Sequence, residues 1–257
     1  MKKTIIALLA LGGFASAAIT DGLQWAESFG DGFDQQVTFS LQNAFYVEDG
    51  VGIASDGYTR VWSTNLGGGN FTDAFTFSFE LVDFDSRNWA DALALYTNGA
   101  TSGTDHSLQL QKNGNGELMV YTQNFTNSNV TYDSDINLGR IDDLKGQQIT
   151  LTFSGNTLTA YVDGVALADT ITFTYADGVT PSTALTGFQF SAAFSGNRAS
   201  NSVTVDNIAV WNRALSAEEV ASLPLSVPEP SPSVPEPTTA TLSLLALAGL
   251  AARRRRR

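Results

Sequence analysis

The sequence predicts an all-β fold of two packed antiparallel sheets, and three observations predict it. Between Ala18 and Leu223 the dominant hydrophobic period is two, turn-forming residues cut the chain into short segments, and neither βαβ alternation nor an internal repeat is present. The clearest segment, Asp73 to Phe84 (DAFTFSFELVDF), puts Phe75, Phe77, Phe79 and Leu81 on one face and Thr76, Ser78 and Glu80 on the other. Gln148 to Phe153 alternates in the same way, as does Thr157 to Val162. Strands are also predicted at Val37 to Leu41, Tyr58 to Trp62, Ala92 to Thr97, Ser107 to Gln111, Glu117 to Thr122, Gly187 to Phe194 and Ser202 to Trp211. Asn113-Gly114, Ser154-Gly155-Asn156, Asp163-Gly164 and Ser195-Gly196-Asn197 supply the turns between them. About ten short strands, each with one apolar face, require two sheets packed against each other.

One segment breaks this rhythm. Ser216-Ala217-Glu218-Glu219 is a capping box, in which the Ser hydroxyl and the Glu219 carboxylate satisfy each other's orphan N–H groups. A short helix over Ala217 to Ser222 follows, closed by Pro224.

Composition narrows the function without naming one. The chain has 257 residues, 43% hydrophobic and 16% charged, with 23 Gly and 16 Phe, which suits a folded core and not a disordered or coiled-coil chain. The formal net charge is -12, but seven of the 14 basic residues sit at the two ends (Lys2, Lys3, Arg253 to Arg257). The body therefore carries seven basic against 26 acidic residues, near -19, which repels phosphate backbones and argues against nucleic acid as a partner. With no Cys there is no disulfide, no thiolate metal site and no Cys nucleophile.

Both ends read as addresses. Lys2 and Lys3 precede an apolar run from Thr4 to Phe14, and Ala15-Ser16-Ala17 places small residues at −3 and −1, a signal peptide over residues 1–17 cut by signal peptidase after Ala17. At the other end Pro224 to Pro237 holds six of the seven prolines and reads as an extended spacer. Thr238 to Ala252 is an apolar helix shorter than the ~20 residues that span a bilayer, suited to transient membrane contact, and Arg253 to Arg257 would stay cytoplasmic. Val234-Pro235-Glu236-Pro237, the apolar helix and the Arg run together resemble the PEP-CTERM sorting signal of Gram-negative bacteria. The resemblance implies processing near Pro-Glu-Pro by an exosortase-type protease, then residence at the cell surface, outer membrane or extracellular matrix. Val227-Pro228-Glu229-Pro230 repeats the tetrapeptide with no helix directly behind it and reads as spacer.

The last third of the body carries a second resemblance. Asn156 to Val165 (NTLTAYVDGV) is a hairpin, and Val205 to Leu223 (VDNIAVWNRALSAEEVASL) is a strand followed by the capped helix. Together they resemble the LamG-like domain of the concanavalin A-like lectin and glucanase superfamily, strongly over Ile141 to Leu223. The resemblance implies that residues 18–223 form a two-sheet antiparallel jelly-roll sandwich, with Val203 to Trp211 as closing strand and the helix folded back on it. Arg213 is placed to bond loop carbonyls. The family offers three trades: glycan binding, glycan hydrolysis and structural adhesion to a protein partner.

Hydrolysis needs two carboxylates facing across a cleft. The Glu-x-Asp-x-x-Glu signature of laminarinase-type members has no counterpart here. In the nearest cluster, Glu80, Asp83 and Asp85, strand parity sets Glu80 on the opposite face unless a bulge intervenes. His106, the single histidine, lies in a polar loop without a nucleophile elbow. Calcium suits an acidic, loop-rich exported sandwich through hard oxygen ligands. The resemblance adds one structural ion joining first and last strands, for which Glu27, Asp31 and Asp206 are the residues to test. Sugar binding would use aromatic faces beside hydrogen-bonding side chains, and Trp62 and Trp89 are the rim candidates. The leading expectation is non-catalytic binding of extracellular glycan or polysaccharide matrix, with a glycoside hydrolase and a structural adhesion protein as the alternatives.

Overall fold

The computed structural model describes residues 19, 21–29, 40–42, 45–55, 58–62, 74–86, 88–97, 107–123, 130–175, 185–192 and 202–223. The chain divides into two units, Met1–Val227 and Pro228–Arg257, and all described residues belong to the first. In chain order the first eight strands are β1 (Leu23–Glu27), β2 (Ser40–Gln42), β3 (Phe45–Glu48), β4 (Val51–Ser55), β5 (Tyr58–Trp62), β6 (Ala74–Asp85), β7 (Asp91–Thr97) and β8 (Ser107–Lys112). Then come β9 (Glu117–Gln123), β10 (Val130–Tyr132), β11 (Ile136–Arg140), the helical turn α1 (Ile141–Leu144), β12 (Gln147–Ser154) and β13 (Thr157–Val162). The rest are β14 (Val165–Tyr175), β15 (Leu185–Ala192), β16 (Ser202–Trp211) and the helix α2 (Ala217–Val220).

All described pairs are antiparallel, and they form two sheets. The first runs β10-β14-β13-β12-β6-β16-β4-β3, with β1 lying against the second half of β16, beyond where β4 ends. The second runs β11-β9-β8-β7-β15-β5-β2. This is the expected two-sheet jelly-roll sandwich. Six strands go beyond the ten predicted: β1, β3, β4, β10, β11 and β14. Five of them are only three to five residues long. β14 opens on Val165, 68% exposed, and its register with β13 slips between Thr159 and Tyr161. The turn α1 was not expected either, since only Ile141 and Leu144 of its four residues are buried.

The core is an aromatic seam between the sheets. Phe75, Phe77, Phe79 and Leu81 of β6 are fully buried, as alternation requires. Phe77 meets Phe188 of β15 edge-on at 4.9 Å, and Phe79 meets Phe190 at 5.7 Å. Phe75 stacks on Phe153 at 5.6 Å, and Trp25 of β1 stacks on Phe188 at 5.7 Å. Buried phenyl rings each contribute roughly 1.5–3 kcal/mol through removal from water, and their edge-to-face geometry adds to that.

A second, smaller cluster lies on the other face of the first sheet, where Trp211, Leu215, Val220, Tyr161 and Ala209 pack together under α2. Thr76 points to this face and is fully buried; its hydroxyl donates to the Arg213 carbonyl at 2.9 Å and accepts from the Leu215 N–H at 2.9 Å. The capping box forms as expected, with the Glu219 N–H on Ser216 Oγ and the Ser216 N–H on Glu219 Oε2. Arg213 grips the Glu219 carboxylate with both terminal nitrogens, at 2.7 and 2.8 Å, and holds that carboxyl below its usual range. Its Nε donates to the Asp21 carbonyl at 2.8 Å, and the Trp211 indole N–H donates to the Ile19 carbonyl, so the last strand and helix fasten the first residues. Asp163 (φ 47) and Gly164 (φ 75) form the tight β13–β14 turn. A Cβ on Gly164 would stand 2.9 Å from Ala221 Cα, so glycine there also admits the end of α2.

Replacing Phe77 by Ala opens a cavity where the two sheets meet. We expect a loss of about 3–5 kcal/mol in urea unfolding, against about 1 kcal/mol or less for an exposed strand position.

Candidate functional site

The longest strand changes face near its end. Thr204 of β16 pairs with Asp83 and Val205 with Leu81, so Val82 is an extra residue, a bulge in β6. Leu81 and Phe84 both join the core although they are three apart, which confirms that alternation slips by one. The slip puts Asp83 and Asp85 on the same outer face as Glu80. The bulge on which that arrangement depended is therefore present. Glu80 and Asp83 nevertheless face different partners: Glu80 Oε2 accepts from Asn207 Nδ2 at 2.8 Å, and Asp83 Oδ1 lies 2.7 Å from Lys145 Nζ.

Just beyond β6 the chain turns through Asn88, Trp89 and Ala90. Trp89 is 55% exposed and sits at φ 66, a left-handed conformation that costs an indole-bearing residue of order 1–3 kcal/mol. The surroundings hold it there. Its N–H donates to the Lys112 carbonyl at 2.7 Å, and the Lys112 N–H returns a bond to the Ala90 carbonyl at 2.9 Å. Behind it Gln111 donates to Asp91 Oδ1 at 2.7 Å and to the Tyr121 hydroxyl at 3.0 Å, tying β7, β8 and β9 together. Asn88 Nδ2 donates to the Gly114 carbonyl at 3.2 Å, and the indole edge lies across Gly114, where an added Cβ would be 3.6 Å away. The turn it leans on is stiff: Asn113 Oδ1 accepts from the N–H groups of Asn115 and Glu117, and Asn113 Nδ2 donates to Glu117 Oε2 at 2.7 Å. The last bond is the main cause of a lowered Glu117 pKa.

Beside this indole opens a groove of about 530 Å³, lined among others by Asp85, Asn88, Lys112, Asn115, Arg140 and Lys145. Lys112 Nζ donates to the Ser86 carbonyl at 2.6 Å, and Lys145 is bracketed by Asp83 at 2.7 Å and Asp142 at 4.0 Å. An exposed aromatic face at the edge of a hydrogen-bonding groove is an arrangement that can hold a sugar ring.

A second polar cluster lies further back along β6. Asp206 pairs with Glu80 across the strands, and β16 bulges immediately after, with Asn207 at φ 48. Burial pushes the Asp206 carboxyl up to about 6, and the charges of Glu80 and Glu27 push in the same direction, against one bond from the Asn207 N–H. Glu27 is buried and its Oε1 accepts from the Phe29 N–H at 2.9 Å. The structure thus brings the expected Glu27 and Asp206 into one electrostatic neighbourhood and adds Glu80. Among the described residues, no group of three or more His, Asp or Glu is arranged to hold a metal ion. Asp31 lies outside the described residues.

The register separates the two expected tryptophans. Trp62 ends β5 opposite Gly187, which pairs with Tyr96 near one end of β7, whereas Trp89 precedes Asp91 at the other end. The five steps from Asp91 to Tyr96 correspond to about 16 Å at ordinary strand rise. His106, Ala15, Ala17, Val234, Pro235, Glu236 and Pro237 fall outside the described residues. Sequence reasoning missed Lys112, Asn115 and Arg140. Their only signal was the Asn113-Gly114 turn, read as a connection and not as a groove wall.

The Asp206 shift has a definite sign. A carboxyl whose folded pKa exceeds its unfolded one stabilises the fold below the unfolded value near 3.8, and that contribution is lost as pH rises towards about 6. In chelator, the Asp206→Asn variant should therefore be the more stable protein above pH 6, by about 1–2 kcal/mol after allowance for solvent screening. The difference from the parent should shrink towards pH 4, as thermal melting across that range would show.

The comparisons agree with this architecture. Residues 52–221 match the model of the concanavalin A-like lectin/glucanases superfamily (Laminin_G_3), and residues 233–257 match the PEP-CTERM protein-sorting motif. No curated protein matches the sequence. Among solved structures, the binding domain of Paraclostridial mosquitocidal protein 1 is 14% identical with a TM-score of 0.52, covering 79% of this chain and 52% of that one. A botulinum neurotoxin type C structure, whose cell entry is described as dependent on two ganglioside molecules, is 11% identical with a TM-score of 0.55, covering 80% and 51%. A Trypanosoma rangeli sialidase in complex with sialic acid is 17% identical with a TM-score of 0.52, covering 78% and 32%. This chain thus spans about half of the toxin chains and a third of the sialidase, and the likeness is one of fold. The sorting motif indicates export and surface association in Gram-negative bacteria and implies processing by an exosortase. With the matched model covering two-thirds of its length and both sheets in place, the chain belongs to the concanavalin A-like lectin/glucanases superfamily.

Proposed function

We propose that this exported protein binds extracellular carbohydrate without catalysis, at the groove beside Trp89. The observation that carries the reading is the indole itself: 55% exposed, in a left-handed backbone conformation, pinned by backbone bonds, and leaning on Gly114, which with Asn88 lines the adjoining polar groove. An ordinary packing tryptophan would be buried and unstrained. The ganglioside and sialic acid named for two proteins of similar fold lend the same class of ligand some support. Surface association gives such a groove a natural target in the polysaccharide matrix.

Trp89→Ala should reduce retention on a glycan array by at least about tenfold with the melting temperature unchanged, because a sugar–aromatic stack and its exclusion of water are lost together. Unchanged retention would remove the groove from the reading. The glycoside hydrolase alternative draws on the bulge that sets Glu80, Asp83 and Asp85 on one face. Sugar released by the parent and lost in Asp85→Asn would establish it. Neither retention nor release would favour a structural matrix or adhesion role with a protein partner.

The reading extends to one calcium ion at Glu27 and Asp206, with Asp31 as a further ligand. Support comes from hard oxygen donors whose mutual repulsion a cation would relieve. Millimolar calcium should then raise the melting temperature of the parent by several degrees and leave Asp31→Asn and Asp206→Asn unmoved. Equal shifts in all three would place the ion elsewhere.

A further inference from the structure

The groove stands out electrically. Of the seven basic residues in the acidic body, Lys112, Arg140 and Lys145 line this one groove. Lys145 is neutralised by Asp83 and Asp142, and Asp85 adds to the field around it. Lys112 and Arg140 differ. Among the described residues neither has a carboxylate within 4.0 Å, although the body carries nearly four acidic residues for every basic one. Lys112 is held over the wall by the Ser86 carbonyl, a bond that uses one of its three donors and none of its charge. Arg140 ends β11 at the mouth of the groove with an exposed side chain, and its charge reaches Glu117 only at longer range. The lining therefore sums to zero, three acidic against three basic, in a body near -19.

We propose that the groove takes a carboxylate-bearing glycan, with Lys112 and Arg140 meeting the acid group while Trp89 stacks on the ring. The inference rests on the glycan-binding reading of this site. An arginine fork matches the two oxygens of a carboxylate, and an ammonium beside it adds a point charge. The remote acidic surface does not forbid such a ligand. At physiological salt, charges beyond about 8 Å are largely screened, so the groove's own cations decide what an anionic sugar meets there. A nucleic acid duplex would overrun the groove onto the acidic flanks.

The test uses the full chain, titrated with polygalacturonate, its methyl ester, a neutral glucan and dextran sulfate. Polygalacturonate should bind at least about tenfold more tightly than its ester, the effect of one charge-assisted contact. Lys112→Met combined with Arg140→Gln should erase that preference, so that acid and ester bind alike, with the melting temperature unchanged. Either single variant serves if the pair fails to fold. Equal binding of acid and ester, or a preference that survives in the variants, overturns the inference. Dextran sulfate binding as tightly as polygalacturonate overturns the carboxylate assignment, since the groove then reads charge alone. If Trp89→Ala abolishes binding of both acid and ester and they bind the parent alike, the glycan site stands and its acid specificity falls; if nothing binds, both fall.

Discussion

The fold and both polar sites depend on one strand. β6 runs through the middle of the first sheet between β12 and β16, and its alternation distributes every other feature. Its inward residues, Phe75 to Leu81, meet Phe188 and Phe190 and join the two sheets. Its outward residues do three different jobs. Thr76 anchors the segment leading to α2, Ser78 shares a hydrogen bond with Thr150 at 2.8 Å, and Glu80 enters the acidic junction with Asp206. A slip of one residue would exchange core and surface along the whole strand.

The protein makes such a slip in one place. At Val82 the strand takes an extra residue, so Phe84 still reaches the core while Asp83 and Asp85 turn outward to the groove. β16 bulges on its own side at Asn207, and between the two irregularities the seam holds both Asp206 and Glu80. Bulges commonly re-aim side chains where a surface is used. Here they separate an acidic junction from a groove whose charges nearly balance. The first residues, fastened by Trp211 and Arg213, complete the sheet beyond the end of β4.

Much of this was legible in the sequence. The strand at Asp73 to Phe84, the capping box at Ser216 and Glu219, the Asp163-Gly164 turn and the role of Arg213 are local or period-two features, each written within a few consecutive residues. Two of three expected acidic ligands, Glu27 and Asp206, do come near each other, because pairing of first and last strands followed from the family resemblance. Less legible were β1, β3 and β4, of four or five residues each, whose partners more than their own patterns make them strands. Trp89 was visible as a tryptophan among polar residues, but nothing near it in the chain disclosed its companions. Lys112 and Arg140 line the groove beside it from β8 and β11.

By itself, then, the sequence determined the class of fold, the faces of its clearest strands and the motifs at its ends, since side-chain periodicity and short ordered motifs need no distant partner. Only the tertiary structure decided where the charges meet. Register across a sheet is set by hydrogen bonds between segments far apart in the chain, and a single inserted residue reverses which face a carboxylate presents. That is why Asp83 and Asp85 turn to the same outer face as Glu80, and why Asp85 and Arg140, far apart in the chain, share one groove.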